Sequence, residues 1–519
     1  MSIVQRGSAG ASVGLRAVGH RATSVAGPTT LPLVAQLCRE LEGHDIRYCH
    51  WKSNESLAAS ASGENDLDLL VARADARRFE EIIRRLGFRD AQPPSRKQLP
   101  GVYHSYALDA SSGHMVHIHA HYQLVVGDDM TKGYRLPIED AYLASSITMD
   151  PLPVPAPEFE FGVFLIRMVL KHSSWDAIVS LQGSLSPSER REFDDLVRRV
   201  DIDDVWALME RHLPNVSRAV WRRCLRAVAP GSSIALRVST ARRLQRHLAA
   251  NARRGRATDT SLKMWRRGAT VVRRKLLRRG PDRATLTGGG ALIAIVGGDG
   301  AGKTTAVANL TDWLGRELMT VSIHLGKPPR SLASQVLKTM MTLAAVAKRS
   351  PQSSATALKE SLSAGRHDMG PRSLARLAWV TLTARDRYRA YARARRLASN
   401  GALVVCDRFP LREIRLMDGT ATSAIDADDR WSAIVRFLAA VERHYYARIS
   451  YPDILLVLRV DPDIAVDRKR GEQPESYLRP RSEEIWRIDW DPTPAVVIDA
   501  GRAKDDVLRE IRSVVWSRL

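Results

Sequence analysis

The sequence predicts an α/β protein in three parts. These are an N-terminal α+β unit over residues 31–150, a helical, basic connector over 151–288, and a C-terminal α/β domain over 289–519 whose parallel sheet is flanked by helices. Three observations carry that reading. After residue 290 short apolar runs alternate with helical patterns, as successive βα units do. Near the start, the strand-like run Asp66-Leu67-Asp68-Leu69-Leu70-Val71 leads into the helical pattern Ala74–Leu86. Between the two lies most of the charge: of a net +22, residues 218–283 hold +18, from 20 Lys and Arg against Asp259 and Asp282.

At roughly 150 residues per domain, 519 residues make two to four domains, each able to bury its own core. With 44% hydrophobic and 26% charged residues, wholesale disorder is excluded. An isoelectric point near 10.3 points to an anionic partner: nucleotide phosphates, nucleic acid or a lipid surface. Cys38, Cys49, Cys224 and Cys406 are scattered with no pair at metal spacing. That excludes a disulfide scaffold and favours a reducing, cytoplasmic compartment. No apolar run reaches the roughly 18 residues of a membrane span. Residues 1–30 contain no acid and carry Arg6, Arg16 and Arg21 among small residues. They read as a disordered tail, with a transit peptide as the alternative.

In the first unit His50-Trp51-Lys52-Ser53-Asn54 precedes the acidic strand. Asp66 and Asp68, two apart, point to one strand face, where they can chelate a metal. His117, His119 and His121 share one face of a later strand and offer a transition-metal alternative. The order of these elements resembles the nucleotidyltransferase-like proteins of the polymerase-β superfamily. The resemblance implies that Asp66 and Asp68, with a third acid on a later strand, hold Mg²⁺ and a nucleoside triphosphate. The third acid would fall near His119.

In the connector, Leu262, Trp265, Ala269, Val272 and Leu276 follow 3-4-3-4 spacing among Lys263, Arg266, Arg267, Arg273, Arg274, Lys275, Arg278 and Arg279. That is a basic amphipathic helix. Its apolar stripe can pack on a neighbouring domain, lie on an anionic membrane surface, or accompany contacts to nucleic acid. No recognition motif supports the last, so nucleic acid is disfavoured. The run Leu286-Thr287-Gly288-Gly289-Gly290 then reads as a flexible joint.

The C-terminal strands are expected at 291–296, 320–325, 402–406, 454–460 and 495–499, with a Ser/Ala/Gly-rich loop at Pro351–Met369. Between the first strand and its helix, Gly297-Gly298-Asp299-Gly300-Ala301-Gly302-Lys303-Thr304 fits the P-loop pattern GxxxxGK(S/T). Phosphate binding needs these residue types. Glycines let backbone N–H groups curl around a phosphate, and the helix N-terminus adds positive potential. Lys303 suits the β- and γ-phosphates and the Thr304 hydroxyl suits Mg²⁺.

The run Gly298 to Thr305 resembles the phosphate loop of the thymidylate kinases, and the likeness recurs in order. Ala384-Arg385-Asp386-Arg387, Val404-Val405-Cys406-Asp407-Arg408-Phe409, Leu458-Arg459-Val460-Asp461-Pro462, an Arg-rich lid stretch and Val497-Ile498-Asp499-Ala500 follow, over roughly 290–519. The resemblance implies a P-loop NTPase fold, ATP and Mg²⁺ as cofactors, and ATP held from Gly297 to Thr305 with Arg468. Lys303 would neutralise donor phosphates, and Thr304 and Asp407 would organise Mg²⁺. Arg408 and Arg387 would hold the acceptor phosphate, and Asp299 would meet a sugar hydroxyl. The lid, among Arg468, Lys469, Arg470, Arg479 and Arg481, would supply the transition-state arginine, with Arg479 and Arg481 as the catalytic candidates. The acceptor half departs from the family. Thr383 stands where an aromatic would stack on thymine, and Pro410-Leu411-Arg412-Glu413 replaces small residues. The expected activity is therefore transfer of the ATP γ-phosphoryl group to a small phosphorylated acceptor by a protein that is cytoplasmic or peripheral to a membrane, with a homodimer among the expected partners. The rivals are a non-catalytic ATP-binding regulator and a membrane-associated assembly factor in glycoconjugate synthesis.

Overall fold

The computed structural model describes residues 29–99, 101–172, 185–272, 283–346, 371–417, 419–422, 425 and 431–519. The expected tail up to residue 28, the Pro351–Met369 loop and the cationic end of the connector helix (Arg273, Arg274, Lys275, Leu276, Arg278 and Arg279) lie outside the described residues.

The N-terminal sheet contains β1 (Tyr48–His50), β2 (Leu67–Val71), β3 (Arg89–Gln92), β4 (Val102–Leu108) and β5 (Met115–His121). β2 and β5 pair in parallel, and the other neighbours pair antiparallel. Period-two alternation sorts β5: Ile118 and Ala120 enter a core with Leu67 and Leu69, while His117 and His119 face the other way. That core is closed by the helices Pro32–Gly43 and Ala76–Arg85, which contribute Val34, Leu37, Phe79 and Ile82. Hairpins β6/β7 (Leu124–Val126, Tyr134–Leu136) and β8/β9 (Ile147–Met149, Leu152–Val154) follow. Leu152 and Val154 join the first core, so the first unit runs past residue 150.

The middle is helical, as expected. Helix Pro157–Lys171 is buried almost all round, and Pro187–Arg199, Ile202–His212, Arg218–Val228 and Ile234–His247 wrap it. Ser186 and Glu189 form a capping box with Pro187 in the first turn. Trp206 and Trp221, both fully buried, stack with ring centroids 5.8 Å apart.

The connector helix, Arg256–Val271, docks by its basic side. Arg266 is buried and donates to the carbonyls of Met130 and Gln98, while Arg267 and Lys263 pair with Asp128. Trp265, 59% exposed, lies on the outer face with Met264, Val271 and Val272. Of the expected stripe, Trp265 and Val272 therefore face outward, while Leu262 and Ala269 are half-buried. Backbone carbonyls and a buried carboxylate in the β6/β7 region need cations more than that surface needs apolar cover.

The expected flexible joint is instead folded. Thr285–Leu286 (β10) adds to β3 at the edge of the first sheet, giving the order β1-β2-β5-β4-β3-β10. Gly290 lies so close to Ala402 that a Cβ would stand 1.9 Å from its carbonyl oxygen. Trp516 donates its indole N–H to Gly87 O at 3.1 Å, and Ala91 and Tyr106 share a core with Trp516.

The C-terminal sheet is parallel throughout, in the order β12-β13-β11-β14-β15. Its strands are β11 (Ala291–Gly297), β12 (Thr320–His324), β13 (Leu403–Asp407), β14 (Ile454–Arg459) and β15 (Ala495–Asp499). All five fall within a residue or two of the expected runs. Central β11 is buried along its length. Ile293 and Ile295 face the helices Lys303–Gly315 and Lys504–Arg518, and Leu292 and Ala294 face Pro371–Ser399. β13 and β14 flank β11 on opposite sides, the topology in which open α/β sheets bind ligands at the carboxyl ends of the strands. All four cysteines are buried free thiols, and burial pushes Cys49, Cys224 and Cys406 up to about 12. Among the described residues no helix is long and apolar enough to cross a membrane.

Truncating the two tryptophans should separate core from surface. Trp221→Ala should cost about 3–5 kcal/mol, as loss of a buried aromatic does. Trp265→Ala should change stability by less than about 0.5 kcal/mol. Urea unfolding of both variants checks this, and a large loss for Trp265→Ala would contradict the outward-facing stripe.

Candidate functional site

At the carboxyl end of β11 the chain turns through Gly297–Gly302 into the helix Lys303–Gly315. Gly300 has φ +88°, and a Cβ there would stand 2.5 Å from Ala465 O. At Gly298 a Cβ would lie 3.0 Å from Ser482 Cα. Ser482 also donates its hydroxyl to Asp299 O at 3.3 Å. The loop is thus clasped by the helices Pro462–Arg468 and Glu475–Arg487, which carry Ala465 and Ser482. Ala301 is buried, while Thr304 and Thr305 are exposed at the head of the helix.

Lys303 is 7% exposed and donates to Gly298 O at 2.7 Å, with its ammonium 3.7 Å from Asp299 Oδ1. Arg408 reaches the same oxygen at 3.3 Å from a left-handed backbone (φ +61°) directly after β13. Asp299 therefore gathers two cations beside the loop. Asp407, the last residue of β13, stands in register with Ile295. Its Oδ1 is buried without a hydrogen-bond partner among the described residues, and its Oδ2 lies 4.0 Å from His324 Nε2. A buried carboxylate oxygen with lone pairs to spare is a donor that fits a hard cation such as Mg²⁺.

Arg387 is buried and donates to Leu325 O at 2.8 Å, to Gly326 O at 3.2 Å and to the Tyr446 hydroxyl. Its neighbour Asp386 accepts from Ser331 N at 3.0 Å and Ser334 Oγ at 2.6 Å. Together they fix the segment after β12. Arg468 donates to Ala500 O at 3.1 Å. Arg479 bridges Asp463 and Glu475, each at 2.7 Å. Arg481 lies over the Tyr477 ring at 3.5 Å. By helical spacing Arg479, three residues before Ser482, lies nearer the Ser482 face of the helix than Arg481 does. Sequence reading missed Ser482, because nothing in an ordinary helical serine marks its contact with a distant loop.

A second polar cluster stands on the face of the N-terminal sheet that carries Tyr106, opposite the core of Leu67 and Ile118. Asp66 immediately precedes β2 and Asp68 lies within it, in register with His119 on β5, and both carboxylates meet the β5 histidines. Asp68 pairs with Lys52 at 2.9 Å and with His119 at 3.3 Å. Asp66 meets His117 Nδ1 at 2.8 Å. Burial opposes the ionisation of Asp68, but Lys52 and the histidines outweigh it and hold the carboxyl well below its usual range. Burial, reinforced by neighbouring imidazoles, pushes His104 down to about 3. His104, on β4 opposite His119, was not legible in advance, because its place depends on the β4/β5 register.

No family model matches the chain. Over 228 residues, 43% of this chain and 86% of the relative, the chain is 26% identical to the uncharacterised ATP-binding protein YghR of Escherichia coli strain K12. The same figures hold for the protein of that name from Escherichia coli strain CFT073. Among solved structures, a thymidylate kinase from Candida albicans matches 44% of this chain and 92% of its own, at 16% identity and a TM-score of 0.29.

Gly300→Ala tests the clasp. A methyl group in a left-handed conformation against Ala465 O should destabilise the protein by about 1–3 kcal/mol. Thermal unfolding checks it, and a variant as stable as the parent would contradict the close approach.

Proposed function

We propose that the C-terminal domain binds ATP with Mg²⁺ at the Gly297–Thr305 loop and transfers the γ-phosphoryl group to a small phosphorylated acceptor. The observation that carries this reading is the meeting of Lys303 and Arg408 on Asp299 at the loop, with Asp407 Oδ1, unpartnered among the described residues, at the end of β13. The similarity to a protein described as ATP-binding supports the nucleotide. Phosphoryl transfer asks the protein mainly for positioning and for positive charge around three equatorial oxygens. Lys303 and Arg408, held on Asp299, supply that charge. Phosphate oxygens would compete with Asp299 for both cations. Thr304 and Asp407 are the ligands assigned to Mg²⁺, which when bound would offset phosphate charge. Arg479 is the lid arginine best placed to close over the transferring group, and Arg468 and Arg481 are its neighbours in the lid.

On the acceptor side, Arg387 is assigned a positioning role through Leu325 and Gly326, with Arg408 as the residue that meets the acceptor phosphate. Thr383 donates its hydroxyl to Trp379 O and presents no ring for a thymine to stack on. Thymidine monophosphate is therefore not the expected acceptor. The N-terminal unit is read as nucleotidyltransferase-like in architecture, with its acidic pair on β2 beside β5.

A second reading concerns location. The outward Met264, Trp265, Val271 and Val272, with the cations that follow in sequence, suit an anionic membrane surface.

Lys303→Ala should leave the circular dichroism spectrum unchanged and slow acceptor-dependent ADP formation by at least tenfold, as loss of about 2–4 kcal/mol of charge stabilisation implies. An active variant would remove the loop from catalysis. For the membrane reading, a protein keeping Trp265 as its sole tryptophan should show a blue shift with anionic vesicles and none with neutral ones. Unchanged emission with both would end that reading.

A further inference from the structure

The phosphate loop leaves unexplained the cluster of metal-ligating side chains on the N-terminal sheet. We infer that His104, His117 and His119 form a three-imidazole site for a divalent transition metal of the zinc class, with Asp66 and Asp68 as the carboxylates that orient the rings.

The distances carry the inference. His104 Nδ1 lies 3.2 Å from His117 Nε2. A tetrahedral ion with metal–nitrogen bonds of about 2.0–2.1 Å holds its ligand nitrogens roughly 3.3 Å apart. One nitrogen from each of the three histidines falls within 4.8 Å of the others. The outer nitrogens are engaged: His117 Nδ1 contacts Asp66 Oδ1 at 2.8 Å and His119 Nδ1 contacts Asp68 Oδ1 at 3.3 Å. A carboxylate on Nδ1 of His117 and of His119 fixes the tautomer that leaves Nε2 of each as the ligand, while His104 turns Nδ1 to the same point. Asp66 Oδ2 lies 3.6 Å from His119 Nε2, beside the fourth position, where it can hydrogen-bond a bound water or donate an oxygen itself. Asp66 is 46% exposed, which leaves that position open to solvent.

The rings are also held in place. His104 and His119 face one another across the antiparallel β4/β5 register, and Tyr106 stacks on His117 with centroids 4.0 Å apart. The donor set selects the ion. Mg²⁺ prefers oxygen ligands in an octahedron, whereas imidazoles suit Zn²⁺, Co²⁺ and their neighbours. Asp68 is already committed to Lys52, so the acidic pair is not free to form an oxygen site. Three histidines with a fourth position open is the arrangement of a site that handles water or substrate rather than one that merely staples the fold.

The test is Co²⁺ titration of the intact chain after chelator treatment, read by visible absorption. One equivalent should bind with the intense bands of four- or five-coordinate Co²⁺, be displaced by Zn²⁺, and resist excess Mg²⁺. The His117→Ala/His119→Ala double variant should lose the bands, and His114→Ala, an exposed histidine outside the cluster, should keep them. Asp66→Asn, a solvent-facing change that spares the fold, should weaken binding about 10–100-fold. Absence of stoichiometric binding by folded protein, only the faint bands of octahedral Co²⁺, displacement by Mg²⁺, or full affinity in Asp66→Asn would each overturn the site.

Discussion

A Cβ at Gly300 would stand 2.5 Å from the carbonyl of Ala465, and one at Gly298 would lie 3.0 Å from Ser482 Cα. The phosphate loop is therefore shaped from outside as well as by its own glycines. Two helices that follow β14, Pro462–Arg468 and Glu475–Arg487, press on it through Ala465 and Ser482. These helices also carry Arg468, Arg479 and Arg481. Small residues at these contacts bring the two helices close against the loop, with little free space between them. Within the loop, Lys303 and Arg408 both settle on one carboxylate, Asp299.

The two sheets are joined more tightly than a chain of separate domains would be. β10 belongs by sequence to the entry into the C-terminal domain and by hydrogen bonding to the N-terminal sheet. Trp516 and Tyr106 continue the contact into a shared core. Positive charge serves the assembly too. Arg266, Arg267 and Lys263 turn inward to Asp128 and to backbone carbonyls. The helix that bears them thus presents apolar side chains to the outside.

The parts legible in the sequence are those whose pattern is set by burial along one element. β11, β13 and β14 are covered on both faces and read as unbroken apolar runs, so their limits came out within a residue or two. The loop was legible because glycine and lysine spacing is itself the mechanism. The pairing of Asp66 with Asp68 followed from period two alone. What escaped depends on partners far away in the chain. The two-residue β10 has no periodicity to detect, and its pairing with β3 spans nearly two hundred positions. Helical spacing found the stripe of Arg256–Val271 but left its direction open, since a buried Asp128 and two carbonyls decide which side faces in. His104 and Ser482 look ordinary until register and helix packing bring them to their sites.

The central claim is that the P-loop domain moves a phosphoryl group to a phosphorylated small molecule. The most direct measurement follows the γ-phosphate of labelled ATP, with Mg²⁺ and the full-length protein, across a panel of phosphomonoesters including nucleoside monophosphates. The account predicts that label leaves ATP and appears on one class of acceptor, with ADP formed in equal amount. Label that remains in ATP, or passes to water at a rate no acceptor changes, would contradict it.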